Sequence, residues 1–334
     1  MKRTLGKSKI KVSAVGMGCW AIGGPWKFLD GSAGWGAIDD NESIRAIHAA
    51  LDAGATLFDT AANYGAGHSE RILGKALHAK RDQAVIATKF GYAVDEENKS
   101  VTPYDGDEEH GDILSRLRAD CEASLKRLDT DVIDVYQLHV WGYDLEKSDA
   151  VREELEALVR EGKIRTYGWS TDRLDAVQRF AEGPNCGIVQ QALNIFDGNL
   201  ELLRACDALD LASLNRSPLG MGLLTGKFTP ETTFDSDDVR ASAEWFGGLK
   251  DGKPNPEWLQ RLDAVREILT SGGRSLAQGA LAWIWGASER TVPIPGFKNV
   301  QQVEDNAGAM QFGPLTPDQM KEIDNILGRE PVLA

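Results

Sequence analysis

The 334-residue sequence has no run of 18 apolar residues, no CxxC pair and no excess of positive charge. Each absence removes a class of function. A membrane-spanning helix needs about 20 apolar residues, so no segment is expected to cross a bilayer. The four cysteines, Cys19, Cys121, Cys186 and Cys206, lie far apart in a chain too long to need disulfide staples. They read as reduced thiols of a cytoplasmic protein. The five histidines, His48, His68, His78, His110 and His139, show no HxxxH or HxxE spacing, so no metal site is expected. A net charge of −14 argues against nucleic acid or an anionic membrane as partner, although a local basic cluster can still hold an anionic cofactor. The dinucleotide fingerprint GxGxxG is also missing, because Gly16, Gly18 and Gly23 give GxGxxxxG. GMGLLTGK (220–227) lacks the GK[ST] of a P-loop, and Ser170 in GWSTD lacks the last glycine of a nucleophile elbow. The basic N-terminus before Val12–Gly24 faintly resembles a signal peptide, but its glycines and tryptophan suit a β-hairpin leading into a strand better.

What is present is an alternation of strand and helix patterns. The expected strands are Val15–Gly18, Thr56–Asp59, Ala84–Lys89, Val132–Leu138, Ile164–Trp169, Ile188–Gln191, Leu211–Asn215 and Thr291–Ile294. Amphipathic helices fall between them, for instance Ile113, Leu117, Cys121, Leu125 and Leu128 on one face. Asp172 is expected to cap the helix that carries Leu174, Val177 and Phe180. Residues 92–110 and 220–256 read as long loops. Eight βα units in one α/β domain (1–334) are the arithmetic of a closed (β/α)8 TIM barrel, with a short N-terminal β-hairpin and long loops at its C-terminal mouth. A doubly wound open sheet is the alternative.

Catalytic groups of such barrels lie at the C-terminal ends of the strands. Asp59 ends the second strand and Tyr64 follows it in DTAANYG; Lys89 ends the third, and His139 ends the fourth in VYQLHVW. A carbonyl that accepts hydride needs a proton donor at oxygen. Tyrosine, with a reference pKa near 10, is expected to be activated by a neighbouring lysine cation. An aspartate paired with that lysine offsets its burial, and a neutral histidine can orient the carbonyl.

GMGCW (16–20), DTAANYG with SERILGKAL behind it, ATKFG, QLH, SPLGMGLLTGKF (217–228) and IPGFKNVQQVEDNAGA (294–309) together resemble the aldo-keto reductases over nearly the whole chain. The resemblance implies a barrel that binds NADP(H) without a Rossmann domain, and the tetrad Asp59, Tyr64, Lys89 and His139. It further implies cofactor contacts. Trp20, Asp59, Ser170, Thr171 and Gln190 (with Asn194) would lie near the nicotinamide. Ser217, Pro218, Leu219, Gly222 and Lys227 would wrap the pyrophosphate. Gly296, Lys298, Gln302 and Asn306 would hold the adenosine end, and a cation at Lys298 suits a 2′-phosphate, with NAD(H) as the alternative. Two positions depart from the family pattern: Thr171 replaces an asparagine, and Arg216 replaces an aromatic that stacks on the nicotinamide. A cation at 216 is expected to disfavour the positively charged oxidised ring. Trp26, Trp35 and Trp141 are candidates for a pocket that takes an apolar carbonyl compound. The expected activity is reduction of a small aldehyde or ketone. Oxidation of an alcohol or sugar, redox sensing as a subunit, or an unrelated sugar-phosphate barrel enzyme remain alternatives.

Overall fold

In the computed structural model, residues 1–104 and 111–332 are described. Eight parallel strands follow the expected order: β1 (Gly16–Gly18), β2 (Leu57–Asp59), β3 (Val85–Phe90), β4 (Ile133–Leu138), β5 (Ile164–Ser170), β6 (Cys186–Asn194), β7 (Ala212–Arg216) and β8 (Thr291–Pro293). Each pairs with the next. The ring closes where Gly18 N donates to Pro295 O at 2.9 Å and Gly18 bridges Gly296. Closure needs small residues here: a Cβ on Gly18 would stand 2.7 Å from the Ile294 carbonyl oxygen. This is a barrel and not an open sheet.

Side chains alternate along a strand, so every second residue faces inward. Leu57, Val85, Ala87, Val135, Ile188, Ala212, Leu214, Val292 and Ile294 form one buried cluster inside the ring. Continuing the same parity to the C-terminal ends brings Asp59, Lys89, Gln137, His139, Gln190 and Arg216 to the inner top layer. The bottom is plugged by the expected hairpin, Lys2–Thr4 against Lys11–Ser13, which sends Leu5, Ile10 and Val12 into the same cluster. Each such side chain contributes roughly 1.5–3 kcal/mol when fully buried.

The outer layer comprises α1 (Asp40–Asp52), α2 (His68–Leu77), α3 (Ile113–Leu128), α4 (Ser148–Arg160), α5 (Leu174–Ala181), α6 (Leu200–Ala208), α7 (Pro256–Leu269), α8 (Leu276–Ala287) and α9 (Val300–Gly308). Beyond them lies α10 (Pro317–Leu327), which the strand–helix count did not anticipate. It starts with a Thr316/Gln319 capping box and Pro317, and packs on α7 and α8.

The expected loops are more ordered than their composition suggests. Tyr92–Asp95 and Ser100–Pro103 form a β-hairpin instead of an open acidic loop; residues 105–110 of that segment lie outside the described residues. Tyr, Val and Thr supply strand formers on both arms. The hairpin carries Lys27–Phe28 and Gly31–Ser32 as further strands, and its Glu96 is tied to Arg71 and Arg127. Residues 220–256 hold 3-10 turns at Gly220–Thr225 and Val239–Ala241 and a small hairpin at 249–254. They pack around Met221, Leu223, Val239, Phe246 and Trp258. No helix among the described residues is long and apolar enough to cross a membrane.

Candidate active site at the barrel mouth

Four strand ends meet at the mouth. Lys89 is fully buried, and its Nζ lies 2.6 Å from Asp59 Oδ1, 2.9 Å from the Thr60 carbonyl oxygen and 3.2 Å from the Tyr64 hydroxyl. Asp59 Oδ2 accepts from Gln137 Nε2 at 3.1 Å and from Gln190 Nε2 at 2.8 Å. The Asp59 carboxylate therefore keeps both oxygens satisfied although it is buried, which burial of a charge demands. The His139 ring stands edge-on to Tyr64 with centroids 5.7 Å apart, and Tyr92 from the hairpin packs on its other side at 5.7 Å. Trp20 stacks on Tyr64 at 5.8 Å. The expected tetrad is thus brought together.

The electrostatics differ from the expectation in one respect. Burial disfavours the Tyr64 phenolate, and Asp59 adds to this. Lys89 and Arg216 oppose it without overcoming it, so the phenol's pKa lies above its usual value instead of below. In the packed mouth the desolvation outweighs the cation. Burial also works against the Lys89 ammonium, but Asp59 and Tyr64 beside it raise its pKa overall. Burial, with the Lys89 and Arg216 cations, holds His139 well below the usual histidine value, so its ring is neutral. Its Nδ1 is buried with no hydrogen-bond partner among the described residues. A buried polar atom left open in this way suits a ligand or water. The four thiols are buried and unpaired; burial pushes Cys121, Cys186 and Cys206 up to about 12, which leaves them unreactive.

Most of the expected cofactor positions lie at the C-terminal ends of β5 to β7 and in the segments after β7 and β8. Ser170 and Gln190 are buried beside Asp59 and β6. The Thr171 hydroxyl turns away to the Trp141 carbonyl at 3.2 Å. Asn194 is occupied by a turn, accepting from Phe196 N and Asp197 N and donating to Ser217 O. Ser217, Gly220, Met221 and Gly222 all have positive φ, at 52, 54, 51 and 98°. Two of these are not glycine, so the turn that also holds Pro218 and Leu219 stores strain of the kind found at ligand clamps. Lys227 lies against Gly222 of this turn, with Arg240 and Lys298 close enough for their charges to act on it. Desolvation by the surrounding loop, with Arg240 and Lys298 nearby, lowers the Lys227 pKa; burial and Arg240 lower that of Lys298 despite Asp238. Such crowded cations fit an anionic phosphate ligand. The Gln302 side chain accepts from Lys298 N, and Asn306 donates to the Gly296 carbonyl.

The tryptophans divide. Trp26 is buried in a small cluster with Ala66 and Val101, beneath Tyr64. Trp35 packs edge-on to Trp20, and its carbonyl oxygen accepts from Lys298 Nζ. Trp141 is half exposed and its indole N–H bonds Asp172 Oδ2 at 3.2 Å. Asp172 does not cap α5, whose N-cap is Arg173 without a side-chain bond. Instead its carboxylate pairs with Arg216 and accepts from Ala192 N at 2.7 Å. A competing long-range ion pair overrides the local capping preference.

Three more residues escaped the sequence reading. Gln137 was detectable, since it stands two positions before His139 on the same inward face. Tyr92 was hidden in an apparently polar loop. Arg240 pairs with Asp238 and lies over the Trp35 and Phe234 rings at 4.9 and 4.5 Å; nothing in its loop's composition marks it. Two clefts elsewhere, about 420 Å³ beside Arg71 and Lys75 and about 800 Å³ at the bottom near Lys11 and Thr56, are remote from these groups. No metal-binding cluster occurs among the described residues.

The chain matches the aldo/keto reductase family over residues 14–327. It is 33% identical to aldo-keto reductase YhdN of Bacillus subtilis over 326 residues, 95% of this chain and 91% of that one. The solved glycerol dehydrogenase AKR11B4 of Gluconobacter oxydans superposes with a TM-score of 0.78 at 34% identity, covering 96% of this chain and 92% of that one. An aldo/keto reductase of Klebsiella pneumoniae in complex with NADP and acetate superposes with a TM-score of 0.70 at 25% identity, covering 98% and 96%. A match of this extent shows that the chain belongs to the aldo/keto reductase family and is an oxidoreductase acting on carbonyl groups.

Proposed function

We propose that this protein binds NADP(H) along the path from Lys298 to Tyr64 and reduces a small aldehyde or ketone, with Tyr64 as the proton donor. The observation that carries the reading is the buried chain Asp59–Lys89–Tyr64, with contacts of 2.6 and 3.2 Å. The bound cofactor supplies a hydride, and this chain supplies the rest. Lys298, Lys227 and Arg240 would hold the phosphates together with the strained turn at 217–222, and Gln190 and Ser170 would hold the carboxamide. The neutral His139 and the Tyr64 hydroxyl bind the carbonyl oxygen. As hydride reaches the carbonyl carbon, the Tyr64 proton passes to the oxygen, and the Lys89 cation stabilises the phenolate left behind. The phenolate then recovers a proton from solvent.

A phenol whose pKa is raised stays protonated at neutral pH, as a proton donor must. Oxidation of an alcohol needs the phenolate, so that direction is expected to gain with rising pH. The name of the Gluconobacter relative, a glycerol dehydrogenase, supports oxidation of small polyols as the second reading. NAD(H) is the second cofactor reading, and one observation supports it: Glu42 Oε1 accepts from Val300 N at 2.9 Å, so a carboxylate stands at the α9 N-terminus close to Lys298. The unpaired buried thiols suit a cytoplasmic setting, and one barrel carries both the cofactor path and the acid.

Tyr64→Phe tests the proposal. The variant is expected to bind NADPH as the wild type does, by fluorescence titration, and to lose reduction of a carbonyl panel by orders of magnitude. Turnover close to wild type would overturn the role of Tyr64.

A further inference from the structure

The Arg216 guanidinium is not free at the mouth, as an isolated cation would be. Asp172 pairs with it, while the same carboxylate accepts from Ala192 N at 2.7 Å and from Trp141 Nε1 at 3.2 Å. One acidic side chain in the turn after β5 thereby joins the turns after β4 and β5 to the strands β6 and β7. The turn itself is held by Thr171 N donating to the Gln190 carbonyl at 2.9 Å and by the Asn199 side chain donating to the Asp172 carbonyl. Asp172 therefore meets Arg216 in a fixed position and not as two loose surface charges. Both side chains are about a quarter to a third exposed, at 26% and 31%.

Arg216 also stands near the reacting groups. Its charge is felt at both Tyr64 and His139. A cofactor whose phosphates lie at Lys227, Lys298 and Arg240, and whose reacting ring must come within reach of Tyr64, has to pass the end of β7 where Arg216 sits. The nicotinamide ring changes by one positive charge between its oxidised and reduced forms. An uncompensated guanidinium beside it selects against the oxidised form, while a guanidinium paired with a carboxylate does so less.

We propose that Asp172 is a positioning residue that sets the redox selectivity of the cofactor site: it holds Arg216 at the edge of the nicotinamide position and offsets part of its charge, so that the oxidised cofactor is retained alongside the reduced one. This rests on the nicotinamide-cofactor reading above. It tempers the expectation from sequence, in which a bare Arg216 would favour the reduced form.

The test is a charge cycle read by binding. Dissociation constants for NADP+ and NADPH are measured by tryptophan fluorescence in wild type, Asp172→Asn, Arg216→Gln and the double variant, with circular dichroism to check folding. Asp172→Asn keeps the side-chain shape and the oxygen that accepts from Ala192. Exposing one full charge near the ring is expected to raise the ratio of the NADP+ to the NADPH constant about tenfold. Adding Arg216→Gln is expected to restore the wild-type ratio. If Asp172 merely braces the loops, both cofactors weaken equally in Asp172→Asn and Arg216→Gln restores nothing, which overturns the inference. A wild type that binds neither cofactor overturns the function proposed above, and this inference with it. Should Asp172→Asn fail to fold, Asp172→Ser with and without Arg216→Gln makes the same comparison.

Discussion

Replacing Lys89 by methionine removes one half of a buried ion pair at nearly constant volume. Asp59 is then left buried, at 2% exposure, without its cation. Breaking a buried pair in this way costs about 3–5 kcal/mol. Here the value belongs at the lower end, because Gln137 and Gln190 still donate to Asp59 Oδ2 at 3.1 and 2.8 Å. The Asp59 Oδ1 contact at 2.6 Å and the Thr60 carbonyl contact at 2.9 Å are lost outright. We expect a loss of about 3 kcal/mol, read as a lower urea midpoint at unchanged m-value. Adding Asp59→Asn removes the stranded charge, and most of that loss is expected to return, since a neutral carboxamide has little cost of burial beyond its hydrogen bonds. The double variant should stay inactive. A Lys89→Met protein within about 1 kcal/mol of wild type, or a double variant less stable than the single one, would refute the assignment of the pair as buried and coupled.

Two further outcomes follow from the same electrostatics. His139 has a folded-state pKa below its unfolded value, so below about pH 6.5 the unfolded chain takes up a proton that the native state refuses. Stability supplied by the neutral ring is therefore present above that pH and lost as pH falls, by about 1.4 kcal/mol per pH unit. Chemical denaturation at pH 5 and 7 should show this slope in wild type and a shallower one in His139→Gln; equal slopes would contradict a buried neutral histidine. Arg240→Ala is expected to weaken NADPH binding about tenfold at low salt, the low end for a charged hydrogen bond because Asp238 already shares the guanidinium. An unchanged fluorescence titration would remove Arg240 from the phosphate site.

The barrel and the tetrad were legible in the sequence because both follow from local order. Strand and helix periods recur every two and every 3.6 residues, and parity then decides which strand-end side chains face inward. Asp59, Lys89 and His139 are placed by that rule, and so is Gln137, two positions before His139 on the same inward face. The hairpin at 92–103, the helix at 317–327 and the pairing of Asp172 with Arg216 could not be placed so directly. Each depends on which surfaces meet after the ring has closed: Asp172 and Arg216 are 44 positions apart and come together only because β5, β6 and β7 are neighbours. The direction of the Tyr64 pKa was decided at the same stage. A lysine beside a tyrosine predicts a lowered value, but desolvation is a property of the packed mouth, and there it outweighs the cation. Sequence thus determined which chemical groups stand at the barrel's inner edge. Tertiary structure decided how deeply they are buried and which charge answers which, because burial and long-range pairing exist only once the chain is folded.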